Sequence, residues 1–272
     1  MSEQDSPFVS SGIITMTTDF GHKGPFAAVM KGVILGRFRQ AEVVDLAHDI
    51  PAHWPPEAGF WISHSYSYFP AGTVHIAIVD PGVGTEREII AVEHDGHVFI
   101  APDNGLLEPV INLGENALVY LLDVDKLKTI GILNPSPTFH GRDIFAPVAA
   151  EISASRITAA DVGIRANQWT PSWVSDAELS SGKVTGVVVT VDAFGNLITN
   201  IDRSMIDDMM QPMVHVAGHD VGIKTTYGRA QPGEFLALIN SFGVLEIARA
   251  ESSAADGLGT ERGAPVTVSD IG

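Results

Sequence analysis

Two aspartates in this chain stand where short apolar runs end. Ile13 to Thr18 stops at Asp19, and Thr73 to Val79 stops at Asp80. A polar residue at the carboxyl end of a strand in an open α/β sheet faces the crevice where ligands bind. It can equally cap the following turn, so position alone leaves both readings open. The run Asp80-Pro81-Gly82-Val83-Gly84-Thr85-Glu86-Arg87 has two glycines that suggest a dinucleotide fingerprint. No third glycine follows and no helix opens, so the motif fails its context. As a tight turn the same loop returns Arg87 toward Asp80, where a guanidinium keeps a carboxylate ionised and fixed in orientation. A structural ion pair fits the same residues.

A third group is Phe139-His140-Gly141-Arg142-Asp143. A histidine beside a glycine, in a polar turn before a helix, can present its ring to a cleft. His22, His48, His53 and His75 compete for that role, and any of them can be a surface or hydrogen-bonded core residue. Asp192-Ala193-Phe194-Gly195-Asn196 gathers a carboxylate, an aromatic ring and an amide in one turn. Asn240-Ser241-Phe242-Gly243 is similar, with Glu246 in the strand after it. Both are also ordinary hairpin turns, although a phenylalanine at a turn tip can serve as a stacking platform. His-Glu-x-x-His, the P-loop and the Gly-x-Ser-x-Gly elbow are all missing. Asp19-Phe20-Gly21 lacks every other kinase element. A metal set of Asp19, His48, Asp80 and His140 has no compact ligand spacing, so no metal site is expected.

The elements that must position these residues alternate at first. Strand signals at Ile13–Thr18, Glu42–Leu46 (read as buried) and Thr73–Val79 alternate with helical ones from Pro25 and over Glu57–Tyr66. Ile89–Glu93 and His97–Ala101 flank Asp95-Gly96, a hairpin signal. A helix from Gly105, a strand at Ala117–Leu121 and a helix after Asp143 follow. Beyond a linker the chain reads as short strands with turns: Val184–Val191, Leu197–Thr199, Met213–Val216, Phe235–Ile239, Val244–Ala248 and Val266–Val268. The fold class is therefore α/β: an N-terminal α/β domain with a mostly parallel sheet, plus a smaller C-terminal β-barrel-like domain. The expected divisions are 1–166, a linker at 167–183, and 184–272.

Among 272 residues, 33 acidic against 16 basic side chains give a formal charge of −17, which argues against nucleic acid or an anionic membrane as partner. With no cysteine, thiolate nucleophiles, disulfides and cysteine-based zinc sites are excluded. No apolar run reaches membrane-spanning length, and the polar start does not read as a signal peptide. A cytoplasmic protein is expected.

Taken together, these motifs resemble one family, the S-adenosylmethionine hydrolases or SAM hydroxide adenosyltransferases, relatives of the fluorinating and chlorinating 5′-halogenases. The match runs through Thr17-Thr18-Asp19-Phe20-Gly21, Val79 to Gly84 with Arg87, Ala101-Pro102-Asp103-Asn104-Gly105-Leu106, Phe139 to Asp143, Phe194-Gly195-Asn196 and Asn240 to Gly243. The resemblance implies hydrolysis of S-adenosyl-L-methionine to adenosine and L-methionine, by attack of water or hydroxide on the 5′ carbon. It implies a catalytic trio of Asp80, Arg87 and His140, with Asp19 on the ribose hydroxyls. Asn196, Ser241 and Glu246 would hold the methionine end, with Asp192 close by. Phe194 would stack on adenine, and backbone around Arg249 would meet the adenine edge. No cofactor is implied, since S-adenosylmethionine is the substrate. Homotrimers with active sites between the N-terminal domain of one subunit and the C-terminal domain of the next are also implied. The halogenases carry tyrosine where this chain has Asp80, and tyrosine and serine at His140 and Gly141, so a halide pocket is not expected; they carry arginine at Phe242, which implies a different recognition of methionine. Their pocket tryptophan has no clean counterpart, Trp54 being slightly displaced. A 5′-halogenase and a non-catalytic adenosine or S-adenosylmethionine binding protein are the alternatives.

Overall fold

A computed structural model describes residues 8–272. The chain divides into two units, the first reaching to Trp173 and the second running from Val174 to Gly272.

The first unit contains, in order, β1 (Ile13–Thr18), α1 (Phe26–Arg37), β2 (Glu42–Ala47), α2 (Pro55–Ser65), β3 (Val74–Ile78), β4 (Ile89–His94), β5 (His97–Pro102), α3 (Glu108–Ile111), β6 (Leu118–Leu122), α4 (Val124–Thr129), α5 (Ala146–Ser153), α6 (Ala159–Val162) and β7 (Gly163–Ala166). The sheet order is β2-β1-β3-β5-β4-β6-β7. Its first four strands are parallel, and the pairs beyond β5 are antiparallel. Alternation along β3 divides the core between the two faces. Val74, Ile76 and Ile78 pack with Met30 and Ile34 of α1 and with α5, while Ala77 and Val79 pack with α2 and Leu106. Asp95 and Gly96 have φ of 49° and 75°, the left-handed pair that a two-residue hairpin requires.

Several expectations are corrected. β2 is an edge strand with half-exposed residues instead of a buried one, and Lys31 pairs with its Asp45 at 2.5 Å. The helix expected from Gly105 begins only at Glu108, because Gly105 has φ 90° and its Cα lies against the Pro171 carbonyl, where a Cβ would collide. The helix expected after Asp143 opens earlier, as a wide π-turn over Gly141–Phe145 that runs into α5. Pro147 has no N–H to return to Asp143, which favours that wider turn. The stretch 167–183, expected as a linker, makes contacts of its own. Thr170 N–H donates to Asp103 at 2.8 Å and Ser172 N–H to Glu108 at 2.6 Å. Further on, β8 (Glu178–Ser180) is a strand of the second unit.

After β8 the second unit contains β9 (Lys183–Val191), β10 (Leu197–Asp202), β11 (Pro212–Val216), β12 (His219–Gly222), β13 (Phe235–Ile239), β14 (Val244–Arg249), α7 (Ala254–Leu258) and β15 (Pro265–Asp270). The order is β12-β11-β15-β9-β10-β14-β13, with β8 on β9. The two ends meet through an Ile223–Ala237 bridge and the Lys224 N–H on the Ala237 carbonyl at 2.8 Å, so the sheet curls into a barrel. Leu197, Val214, Leu245, Ile247, Val266 and Val268 fill its interior.

Candidate active site

In the first unit, β1 and β3 are adjacent and parallel, with Thr18 in register with Ile78. The next residues along are Asp19 and, after Val79, Asp80, so both carboxylates stand at the same edge of the sheet. Burial raises the Asp19 pKa above its ordinary value and the Asp80 charge adds to that rise, while its own backbone N–H, then the His53 charge and the His53 backbone N–H, oppose it. His53 has φ 63°, a left-handed conformation that side chains resist, and so presents that N–H from a strained position. Sequence reasoning named His53 only for its ring.

The loop after Asp80 folds back as its glycines suggest. Thr85 N–H and Oγ1 both donate to the Gly82 carbonyl, and Gly84 has φ 77°. The return delivers Arg87 to Asp80. Arg87 Nε lies 3.0 Å from each carboxylate oxygen, and Nη2 also donates to Oδ2. Both side chains are withdrawn from water, 11% and 6% exposed. Such a pair fixes the carboxylate in one orientation.

His140 completes the chain, with Arg87 Nη2 lying 3.0 Å from its Nδ1. A guanidinium only donates, so Nδ1 is the acceptor and the proton of the neutral ring sits on Nε2. Burial first, and the Arg87 cation second, hold the His140 pKa below the usual histidine range. Asp80, Arg87 and His140, drawn from two separate loops, form one continuous hydrogen-bonded line. Phe145 faces Arg87 at 5.9 Å, and Phe139, the residue before His140, makes edge contacts with Phe20 and Phe26 at 5.9 and 5.4 Å.

Three of the four competing histidines are engaged elsewhere, while His53 stands by Asp19. His48 lies between Thr18 and Asp45, His22 is 3.5 Å from Asp49, and His75 is sealed in the core against Thr15 and His97. Among the described residues, no group of three or more histidine, aspartate or glutamate side chains is set to hold a metal ion.

In the second unit, Asp192 organises the β9–β10 turn. Its Oδ1 accepts from the backbone N–H of Phe194 and Asn196 at 2.9 Å, and its Oδ2 accepts from the Asn196 side chain at 3.0 Å. Gly195 (φ 82°) packs so closely on Ser253 that a Cβ would not fit. Phe194, at the tip of the turn, is 79% exposed. Glu246 lies on β14 opposite Ile198, buried to 3%. Burial raises its pKa and the nearby Asp192 charge contributes, against donation from Tyr227 and Asn240. Tyr227 Oη is 2.5 Å from Glu246. Sequence reasoning passed over Tyr227, because its partner lies two strands away. Ser241 is exposed on the β13–β14 turn, which Asn240 braces by accepting from Phe242 N–H. Arg249 closes the far end of β14; its side chain covers Phe235 and its Nε donates to the Gly233 carbonyl.

Comparison with known proteins covers both units of the chain. Residues 14–163 match the SAM hydroxide adenosyltransferase N-terminal domain, and residues 186–267 the C-terminal domain. A Thermus thermophilus protein named (R)-S-adenosyl-L-methionine hydrolase is 34% identical, over 92% of this chain and 96% of its own. A fluorinase of Actinoplanes is 27% identical, over 96% and 99%. The crystal structure of an uncharacterized conserved protein from Thermotoga maritima superposes with a TM-score of 0.84 at 31% identity, covering 94% of this chain and 99% of that one. With both domain types matched in order and an Asp-Arg-His line assembled at the strand ends, the chain belongs to the SAM hydroxide adenosyltransferase family.

Proposed function

We propose that this enzyme hydrolyses S-adenosyl-L-methionine, in the (R) sulfonium form that its relatives' name specifies, to adenosine and L-methionine. The observation that carries the reading is the buried line Asp80–Arg87–His140. It supplies an oriented acceptor and a ring N–H to one water molecule.

The chemistry follows from those groups. The water oxygen forms a bond to the 5′ carbon while the carbon–sulfur bond breaks in line, its electron pair going to sulfur. The departing thioether is neutral, so no acid is needed on that side. Holding oxygen and carbon at near-attack distance can lower the barrier by about 7–11 kcal/mol. A positioned base adds roughly 10²–10⁴-fold. Nδ1 of His140 is occupied by Arg87, so the ring donates through Nε2 to the water oxygen, and the water proton passes to Asp80. Arg87 makes Asp80 a weaker base but holds it in place. No cofactor enters these steps.

Asp19 on the ribose, Phe194 on adenine, the Arg249 backbone on the adenine edge, and Asn196, Ser241, Glu246 and Asp192 on the methionine end complete the proposal. Two carboxylates near one amide suit an ammonium group. A homotrimer belongs to the same reading, the C-terminal set of one subunit serving the trio of its neighbour; light scattering should return three times the 28.9 kDa chain. A cytoplasmic location also belongs to it, and among the described residues no helix is long and apolar enough to cross a membrane. Incubation with S-adenosylmethionine in chloride, followed by mass spectrometry, tests the function: adenosine and methionine are expected, whereas 5′-chloro-adenosine would assign the chain to the halogenase side.

A further inference from the structure

The motif Ala101-Pro102-Asp103-Asn104-Gly105-Leu106 supplies none of the groups used above, yet it lies directly beneath them. In the sheet order, β5 stands between β3 and β4. The connection from β3 to β4, which carries both Asp80 and Arg87, must therefore cross the carboxyl end of β5. That end is Asp103-Asn104. Asn104 Nδ2 donates to the Val79 carbonyl at 2.8 Å, immediately before Asp80. Asp103 N–H donates to the Glu88 carbonyl at 2.9 Å, immediately after Arg87. The amide of Asn104 is itself oriented, because its Oδ1 accepts from Leu106 N–H at 3.3 Å. Asp103 is held in turn by Thr170, and Gly105 by its close approach to Pro171. One turn thus grips the loop at both ends, next to the two residues whose mutual geometry defines the trio.

We infer that Asn104 is a positioning residue for hydrolysis: its side-chain amide fixes the backbone that aims Asp80, without itself touching the substrate. Val79 is fully buried, so its carbonyl has no water to replace the lost donor. The backbone at Asp80 then relaxes, and the carboxylate shifts from the line of attack. Affinity does not depend on that alignment, because uniform binding and transition-state alignment are separate.

This rests on the hydrolase reading, and its test keeps the two apart. Asn104→Asp is isosteric, keeps the acceptor for Leu106 and replaces the donor to Val79 with a second acceptor; Asn104→Ala removes both. Steady-state adenosine release, adenosine affinity by calorimetry and the thermal midpoint are measured for wild type and both variants. The expected result is kcat lower by about ten- to a hundred-fold, as for a misplaced catalytic group, with KM and adenosine affinity within about two-fold. A variant kcat equal to wild type overturns the inference. So does a loss of rate matched by an equal loss of adenosine-binding sites, since that reports unfolding. If Asn104→Ala does not fold, Asn104→Asp decides alone; if neither folds, Asn104 is a residue of the fold and the inference fails. Failure of the hydrolase reading looks different: wild type itself would then release no adenosine.

Discussion

Strand β3 carries one histidine cluster near its start and leads to another past its end. At the start, His75 Nδ1 lies 2.7 Å from Thr15 Oγ1, its Nε2 lies 3.1 Å from His97, and its ring stacks on Phe99. Past the end, His140 accepts from Arg87, which is clamped to Asp80. Burial pushes both histidines below their usual range, His75 to about 3. Depressed basicity therefore does not separate a core histidine from one proposed to act on the water. What separates them is the company: hydroxyl, imidazole and aromatic rings closed on every side in one case, a fixed cation and carboxylate at the strand ends in the other.

The largest effect expected from breaking this contrast comes from the trio. Arg87→Ala and His140→Ala should each lower kcat by about 10²–10⁴-fold, read from initial rates of adenosine release. His75→Gln, in the other cluster, should leave kcat within about two-fold. Next is Gly84→Ala. Its Cβ would collide with the carbonyl of Pro137, which lies just upstream of His140, and the residue would sit at φ 77°. The loop must move, and roughly a ten- to hundred-fold loss in kcat is expected while the thermal midpoint shows the fold retained.

The first cluster has a signature of its own. Below about pH 6.5 an unfolded His75 takes up a proton that the folded one refuses until about pH 3. Its contribution to stability is therefore whole above pH 6.5 and falls as pH drops toward 3, at no more than about 1.4 kcal/mol per pH unit. Urea midpoints measured across that window should decline in wild type and flatten in His75→Gln. The smallest effect is expected at Phe194→Ala: KM rises roughly two- to ten-fold with kcat and stability unchanged, because the ring is 79% exposed.

Local rules made much of this legible. Asp95-Gly96 announced its hairpin because two consecutive left-handed residues suit few other sequences. Asp80 and Arg87 were readable as a pair because a glycine-rich loop between two strands can only return. His140 could not be chosen over His22, His48, His53 and His75 from its neighbours alone, since burial and partner are set by distant chain; the ordered set of motifs singled it out. Tyr227 and the barrel closure at Ile223 and Ala237 went unseen for the same reason. The late start of α3 and the wide turn before α5 depended on Pro171 and Pro147 acting on backbone elsewhere. Edge and centre of the sheet were also hidden, so half-exposed β2 read as buried.

One measurement bears most directly on the claim that Asp80, Arg87 and His140 act on a single water. Wild type and Asp80→Asn are given S-adenosylmethionine in water bearing heavy oxygen, with binding followed by calorimetry and product by mass spectrometry. The account requires heavy oxygen at the 5′ position of adenosine from wild type, and undiminished binding with almost no adenosine from the variant. Light oxygen in the product, or an Asp80→Asn enzyme turning over at the wild-type rate, would contradict it.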